Sequence, residues 1–386
     1  MIKRIFQSGC LLLMMFFVGV GGEMSFAQLP PGQAALKTPK NIILIIGDGM
    51  GVAHVTAARI TKGRLNMEDF PHSAFILNQP ADKFIPCSGG PTTAISTGFL
   101  TNADMIALSP EGKPLKTVLE YAQEQNMATG LISTSSITDV TPACFYSHLP
   151  HRHFDNLLAE DLTSKNVDVI IGGGLAFFLP AFQAQSERPD QKDLLARLAQ
   201  THTVVRSPEE FRQAGEPAKL AAFLALEEMP TADERVISLS EMVDKAIRIL
   251  SRRPEGFFLM AEGSQIDWAG HHSLGEYLIQ EVVDLDDAVG VALDFARRNG
   301  DTLVIVTADH ETGGLALLEG SVEEHKISAA VFLTERHTGT MVPLFAYGPG
   351  SEVFGGIQRN TYIGQKLIEY IVKSGQPTAP THTPAE

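Results

Sequence analysis

The sequence predicts an α/β fold, a three-layer α/β/α sandwich with a largely parallel central sheet. Short apolar runs alternate along the chain with amphipathic helical segments. The runs lack the apolar-polar alternation of half-exposed strands, as expected for strands buried on both faces of a parallel sheet. We find no internal repeat in the sequence. The pattern therefore favours a single layered domain.

Six strands and three helices are predicted from these patterns. The strands are residues 41–46, 127–133, 167–172, 256–261, 302–308 and 342–348. The helices are residues 115–125, 240–253 and 276–298. Residues 181–236 show no clear strand and are predicted to be a mostly helical insertion. The layered domain is expected to span residues 41–373.

The N-terminus has the pattern of a secretory signal peptide. Two basic residues precede a short apolar core, and residues 25–27 fit a small-x-small cleavage site. The apolar core is too short for a membrane-spanning helix, so we expect cleavage near Ala27, no stable membrane anchor and a periplasmic or secreted protein. Residues 28–40 are predicted to be an extended leader, and residues 374–386 a disordered tail.

Composition restricts the class of partner. The chain has 386 residues, 44% of them hydrophobic, and a net charge of −15 at pH 7. Nucleic-acid binding is not expected, because it depends on Lys and Arg side chains that neutralise phosphates. An anionic substrate would need a strong local positive charge, for which metal ions are the obvious source. Cys87 and Cys144 remain after signal cleavage, but two cysteines do not make a disulfide framework.

Polar side chains follow four of the predicted strands. Asp48, Asp139, Glu262 and the pair Asp309–His310 each lie at or just beyond a strand's carboxyl end. Ligands of open α/β sheets bind beyond this edge, so we expect these side chains to meet there. Asp48 has two carboxylate oxygens and could bridge two sites.

Further residues complete a candidate metal site. Asp267 and His271 are four positions apart, so on a helix they share one face and can bind one ion. His337 could supply a third imidazole. Together these side chains provide oxygen and nitrogen ligands for two zinc-like ions with open positions. Glu262 and Thr141 add the hard oxygen ligands that Mg²⁺ prefers.

Five motifs in this order resemble the alkaline phosphatase family. They are GDGMG (47–51), DVTPA (139–143), EGSQIDWAGHH (262–272), TADHETGG (307–314) and HTG (337–339). The resemblance covers residues 41 to about 350. It implies an enzyme that hydrolyses phosphate monoesters and contains two Zn²⁺ and one Mg²⁺. It also allows a homodimer.

The resemblance implies a role for each matched residue. One zinc would be held by Asp267, His271 and His337. The second zinc would be held by Asp48, Asp309 and His310. The magnesium would be held by Asp48, Thr141 and Glu262, with Asp139 reaching it through water. Arg152 matches the arginine that grips phosphate with its planar fork. Trp268, between two ligands, is expected in the pocket wall.

The nucleophile is expected in the stretch CSGGPTT, residues 87–93. The family has an Asp-Ser-Ala-Ala run before a Thr-Ala-x-x-Thr-Gly run, and TAISTG (93–98) matches the second run. This alignment places Ser88 at the nucleophile. Cys87 then stands where relatives usually have Asp, and Gly89-Gly90 stand where they have two alanines. Because Cys87 cannot steady Arg152 as a carboxylate does, we expect a more mobile arginine and weaker phosphate binding.

Other interpretations of the stretch are weaker. A cysteine phosphatase loop needs Arg six positions after its Cys, and a sulfatase needs Cys-x-Pro-x-Arg; neither spacing is present. Thr92 or Thr93 as nucleophile would require a shifted alignment. In the simplest alternative, Ser88 only caps a helix. For the whole chain, the alternatives to a monoesterase are a phosphodiesterase or a sulfuryl-transfer enzyme of the same superfamily, and a metal-dependent binding protein.

Overall fold

A ten-stranded sheet forms the centre of the computed structural model, which describes residues 37–374. Among these residues the strands are β1 Asn41–Gly47, β2 His72–Leu77, β3 Ala128–Ser136, β4 Val169–Gly173, β5 Thr203–Val205, β6 Leu220–Phe223, β7 Phe257–Gly263, β8 Thr302–Thr307, β9 Glu311–Thr312, β10 Leu315–Ser321, β11 Lys326–Phe332, β12 His337–Thr338, β13 Val342–Tyr347 and β14 Gly356–Arg359. The sheet order is β14-β2-β13-β8-β1-β7-β3-β4-β6-β5. Only β13 is antiparallel to its neighbours in this sheet, which confirms the largely parallel α/β fold.

Helices connect and flank the strands. Within residues 37–374 they are α1 Val52–Lys62, α2 Gly89–Thr97, α3 Val118–Glu124, α4 Val140–Tyr146, α5 Asp155–Ser164, α6 Leu194–Leu198, α7 Pro208–Gln213, α8 Leu239–Leu250, α9 Gln265–His271, α10 Gly275–Asn299 and α11 Asn360–Ser374. The three predicted helices correspond to α3, α8 and α10, and the six predicted strands are all present. None of the helices in this range is long and apolar enough to cross a membrane.

The prediction for residues 181–236 needs correction. This segment has two short helices, α6 and α7, and two short strands, β5 and β6, rather than being mostly helical. The strands extend the central sheet beyond β4 in parallel. Strands of three and four residues are too short to produce a recognisable periodic pattern. The predicted signal peptide, most of the leader and all but the first residue of the tail lie outside the described residues.

Register places the carboxyl ends of the central strands side by side. Ile46 of β1 pairs with Glu262 of β7, which in turn pairs with Ser133 of β3. On its other side, Ile46 pairs with Thr307 of β8. Strands β1, β3, β7 and β8 are buried along their whole length, which explains their continuous apolar runs. The residues that follow these strands therefore converge at one edge.

Candidate active site

Ser88 lies directly before α2, but its side chain does not cap the helix. The hydroxyl oxygen is 3.4 Å from Oδ2 of Asp48 and 3.3 Å from Nε2 of His310. Gly89 allows this helix start to approach the chain near Ala103: a Cβ at Gly89 would lie 2.9 Å from the Ala103 carbonyl oxygen. The simple capping interpretation is therefore wrong for the hydroxyl, which points toward the carboxyl edge of the sheet.

The first predicted ligand group is assembled by α9 and β12. Nε2 of His271 lies 3.3 Å from Oδ2 of Asp267, and Nε2 of His337 lies 3.4 Å from Oδ1 of the same carboxylate. The Nδ1 atoms face backbone carbonyls, 2.7 Å from that of Glu335 and 2.9 Å from that of Pro86 respectively. Such contacts fix the tautomer of an imidazole that ligates a metal through its other nitrogen. These three side chains can hold a metal ion.

The second group adjoins the first. Nε2 of His310 lies 3.4 Å from Asp48 and 3.3 Å from Oδ2 of Asp309. The backbone N–H groups of Gly49 and His310 donate to Oδ1 of Asp309 and thereby orient its carboxylate. Asp48, His310 and Asp267 also offer ligand atoms within 4.8 Å of one another. The two predicted groups are therefore neighbours.

Four buried oxygen atoms around these groups make no hydrogen bond within residues 37–374. They are Asp48 Oδ1, Thr141 Oγ1, Glu262 Oε1 and Asp309 Oδ2. Ser133 donates to the other oxygen of Glu262 at 2.6 Å. Buried polar atoms normally have a partner, because an unpartnered one costs desolvation energy. Unpartnered carboxylate and hydroxyl oxygens in one region fit a hard cation such as Mg²⁺.

The pKa shifts of the buried side chains at this edge are those expected of groups that bind cations. Burial, with the nearby Asp309 and Asp267 carboxylates, raises the pKa of Asp48 well above its usual value. Burial and Asp139 do the same for Glu262. Burial lowers the pKa of His310 to about 4, which leaves the imidazole neutral at pH 7 and able to ligate a metal. Bound cations would stabilise the ionised form of these crowded, buried carboxylates.

Arg152 and Trp268 are the two residues predicted to bind substrate. Nη2 of Arg152 donates to Oδ1 of Asp139 at 3.0 Å. The arginine side chain is 31% exposed and can therefore reach a ligand from solvent. Trp268 is half-buried on α9 beside Asp267. Its indole makes no hydrogen bond among the described residues, so its pocket-wall role remains a prediction.

The other candidate nucleophiles lie in unsuitable environments. Burial and the nearby Asp104 raise the pKa of the Cys87 thiol, whose Sγ donates to the Ala103 carbonyl at 2.8 Å. Thr93 is fully buried and donates to the Met105 carbonyl, and Thr92 is also fully buried. Cys87 and Cys144 are both free thiols, so they form no disulfide.

Sequence analysis missed Thr312 and Ser133. Both are fully buried. Thr312 donates to Asp267 Oδ1, and its hydroxyl lies 3.3 Å from Nδ1 of His310, so it links the two ligand groups. Thr312 belongs to the TADHETGG motif, and its place two residues after His310 could have drawn attention to it. Ser133 ends one of the predicted strands, but nothing in its sequence context indicates a contact with Glu262.

Comparison with known proteins identifies the family. The alkaline phosphatase family model matches residues 39–330. The chain belongs to the alkaline phosphatase family. It is similar to alkaline phosphatase 3 of Bacillus subtilis, with 31% identity over 86% of this chain and 90% of the relative. It is also similar to alkaline phosphatase of Escherichia coli K12, with 30% identity over 84% of each chain.

Solved structures agree with this assignment. Alkaline phosphatase from the Antarctic bacterium TAB5 shares 38% identity, with a TM-score of 0.80 over 88% of this chain and 99% of that chain. The Thermus thermophilus alkaline phosphatase has 23% identity and a TM-score of 0.79, covering 90% of this chain and 99% of that chain, and shares the fold. This alkaline phosphatase family member is a phosphomonoesterase. The family implies metal cofactors, in agreement with the ligand groups described above.

Proposed function

We propose that the chain hydrolyses phosphate monoesters to an alcohol and inorganic phosphate through a phosphoserine intermediate on Ser88. The position of the Ser88 hydroxyl between Asp48 and His310 carries this proposal. Among the hydroxyl and thiol groups of residues 87–93, the Ser88 hydroxyl is the one that contacts predicted metal ligands, and both of these ligands belong to the second group. Cys87, Thr92 and Thr93 instead face backbone or core.

Two Zn²⁺ and one Mg²⁺ are proposed as cofactors. Asp267, His271 and His337 would hold the first zinc, and Asp48, Asp309 and His310 the second. Asp48, Thr141 and Glu262 would hold the magnesium, with Asp139 reaching it through water. The mixed nitrogen and oxygen donors suit zinc, and the unpartnered oxygens suit magnesium. A variant of the TAB5 enzyme was solved with Mg bound in its M3 site, which supports a magnesium site here. When bound, such ions neutralise phosphate charge and lower the pKa of coordinated hydroxyl groups.

In the proposed reaction Ser88, Arg152 and Trp268 have different roles. Oγ of Ser88 loses its proton and attacks phosphorus, and the P–O bond to the ester breaks as the alcohol leaves with a proton. Water next attacks the phosphoserine, releases inorganic phosphate and restores the serine hydroxyl. Arg152 holds non-bridging oxygens with the guanidinium donors that it does not use on Asp139. Trp268 forms part of the pocket wall.

Location and assembly are part of the same proposal. The N-terminal pattern supports export to the periplasm or the medium, with the mature enzyme free of a membrane anchor. The family resemblance supports a homodimer. Small phosphate monoesters are the proposed substrates, without a nucleic-acid partner.

Hydrolysis of p-nitrophenyl phosphate and of its bis ester, with zinc and magnesium supplied, tests the proposal. We expect a strong preference for the monoester, loss of at least about a thousandfold in kcat for Ser88→Ala, and a phosphoryl group on the Ser88 peptide after acid quench. Ser164→Ala, an exposed serine on α5, should retain wild-type activity. Undiminished turnover in Ser88→Ala would contradict the nucleophile assignment. A preference for the bis ester would instead favour a phosphodiesterase, and no turnover of either ester would favour a binding protein.

A further inference from the structure

Glu311 is a buried carboxylate beside the candidate ligands that the proposed reaction does not use. It directly follows His310 and is 5% exposed. Its Oε1 accepts the backbone N–H of Gly314 at 2.8 Å, and its Oε2 accepts the hydroxyl of Thr338. Nε2 of His54, which is fully buried on α1, lies 3.5 Å from Oε1. The carboxylate therefore contacts donors from three separate segments of the chain.

The contact with Thr338 joins two segments that carry ligands of different groups. Strands β9 and β12 pair over two residues each, with Thr338 opposite Glu311 and His337 opposite Thr312. His310 precedes β9, and its ring stacks on that of His337 with the centroids 3.7 Å apart. A two-stranded ladder of this length is marginal by itself. The side-chain bond to Thr338 gives the segments of the two imidazoles a second attachment.

The contact with His54 reaches the loop that carries Asp48. Nδ1 of His54 accepts the backbone N–H of Gly51 at 2.9 Å, so Nε2 carries the ring proton and presents it to Glu311. Gly51 lies three residues after Asp48, and a Cβ at Gly51 would overlap Cγ of Glu311. The absence of a side chain at Gly51 therefore lets Glu311 pack directly against this loop.

We propose that Glu311 is a positioning residue that sets the spacing between the two metal-ligand groups. It ties the segments that carry Asp48, His310 and His337 to one carboxylate. The inference rests on the proposed function and its two zinc ions. Within residues 37–374 the carboxylate makes no hydrogen bond to the side chain of a proposed ligand, so it acts through the backbone segments. In a two-metal site the separation of the ions decides whether attacking and leaving oxygens are both stabilised.

Cobalt-loaded protein supplies a readout besides activity. Visible absorption of Co²⁺ reports its coordination geometry, and magnetic coupling between two Co²⁺ ions reports their separation. In the full chain saturated with Co²⁺, we expect Glu311→Ala to change both signals and to lower kcat by about 10- to 100-fold. Glu311→Gln should restore the signals and most of kcat, because its amide can accept from Gly314 and donate to Thr338. Glu319→Ala, at an exposed glutamate of β10, should match the wild type.

A double-mutant cycle tests whether Glu311 acts through Thr338. Thr338→Val removes the hydroxyl donor without altering the strand, so it should cause part of the loss that Glu311→Ala causes. Combined with Glu311→Ala it should cause little further loss, because the bond is already broken. Cobalt content, measured by elemental analysis, should equal that of the wild type throughout. Thr338→Val and Glu311→Gln also keep the test decisive if Glu311→Ala does not fold.

Three results would overturn the inference. Cobalt spectra and coupling that stay unchanged in Glu311→Ala, even with a lowered melting temperature, would reduce the residue to a contributor to fold stability. A defect in Glu311→Gln equal to that of Glu311→Ala would show that charge, rather than hydrogen bonding, matters. Fully additive losses in the double mutant would exclude Thr338 as the link. Because the cobalt signals do not depend on turnover, failure of the proposed function would be seen separately, as a wild type that hydrolyses no phosphate monoester.

Discussion

The hydroxyl of Ser88 lies 3.3 Å from Nε2 of His310, although the two residues are 222 positions apart in sequence. The same imidazole nitrogen is 3.3 Å from Asp309 and 3.4 Å from Asp48. A serine, an imidazole and two carboxylates thus converge on one point. The serine precedes a buried helix and the other residues follow parallel strands, so the central sheet and α2 create this convergence together.

Removal of metal ions is expected to lower stability as well as activity. Without cations, the buried carboxylates of Asp48, Asp267 and Asp309 repel one another in a poorly solvated region. A ligand present at a thousand times its Kd stabilises a fold by about 4 kcal/mol, so chelation should cause a loss of this order. Calorimetric melting before and after chelation measures it, and zinc with magnesium should restore the melting temperature. An unchanged melting temperature and activity after complete metal removal would contradict a structural and catalytic role for the ions.

Thr312→Val is expected to weaken zinc binding. The Thr312 hydroxyl donates to Asp267 and lies 3.3 Å from His310, so its removal frees one side chain in each ligand group. Loss of such an outer contact typically costs about 10- to 100-fold in metal affinity. Competition with a zinc chelator measures the affinity. Thr340→Val makes the same change at an exposed residue and should leave the affinity unchanged; equal affinities for both variants would argue against the link.

Ser133→Ala is expected to weaken magnesium binding in particular. The serine donates to Glu262 at 2.6 Å and leaves the other carboxylate oxygen without a protein partner. Its loss should raise the magnesium concentration for half-maximal activation about tenfold or more. Ser135→Ala is the control, because Ser135 contacts Ser133 rather than the carboxylate. Magnesium titrations that coincide for Ser133→Ala and the wild type would remove Ser133 from the site.

Gly364→Ala is expected to disturb the helix that follows Ser88. A Cβ at Gly364 of α11 would lie 2.6 Å from the Ile95 carbonyl and 2.5 Å from the Gly98 nitrogen, both backbone atoms. Relief of this overlap must separate α11 from α2, at a cost of about 1–3 kcal/mol. Thermal melting should show the loss, together with reduced kcat. Gly355→Ala, where a Cβ has no neighbour within 4 Å, should change stability by less than about 0.5 kcal/mol. Similar melting temperatures for both variants would contradict the predicted overlap.

Glu120→Gln is expected to produce a pH-dependent loss of stability. Burial opposes ionisation of Glu120, but hydrogen bonds from His148, Lys165 and the Thr117 backbone outweigh it and lower its pKa to about 2. Burial likewise opposes protonation of His148, but Glu120 outweighs it and raises the histidine pKa above its usual 6.5. The lowered carboxyl pKa contributes stability above pH 4.5, lost as pH falls toward 2. The raised histidine pKa contributes stability below pH 6.5, lost as pH rises through that pKa.

The difference between wild type and Glu120→Gln should therefore be largest between pH 4.5 and 6.5, at about 1–2 kcal/mol. Gln retains the ability to close the capping box with Thr117, so the variant isolates the charge. Urea unfolding at a series of pH values measures the difference. Glu124→Gln, whose carboxylate is largely exposed, should show a smaller and flatter effect. A difference for Glu120→Gln that does not vary with pH would contradict the assignment.

Sequence patterns predicted most of the central sheet because buried parallel strands are continuously apolar. They failed for β5, β6 and β14, which are too short, and for β2, which is only partly buried on an outer part of the sheet. Short edge elements owe their conformation to the strand beside them, and a local pattern does not record that partner.

The sequence by itself determined the family, the layered fold and the order of the candidate ligands, because motifs at strand ends are local in the chain. Only the tertiary structure decided which atoms meet. It turns the Ser88 hydroxyl from the helix cap toward His310, and it pairs Arg152 with Asp139 while Cys87 faces Ala103. Side-chain direction and pairing depend on neighbours that are distant in sequence, and spacing along the chain does not encode them.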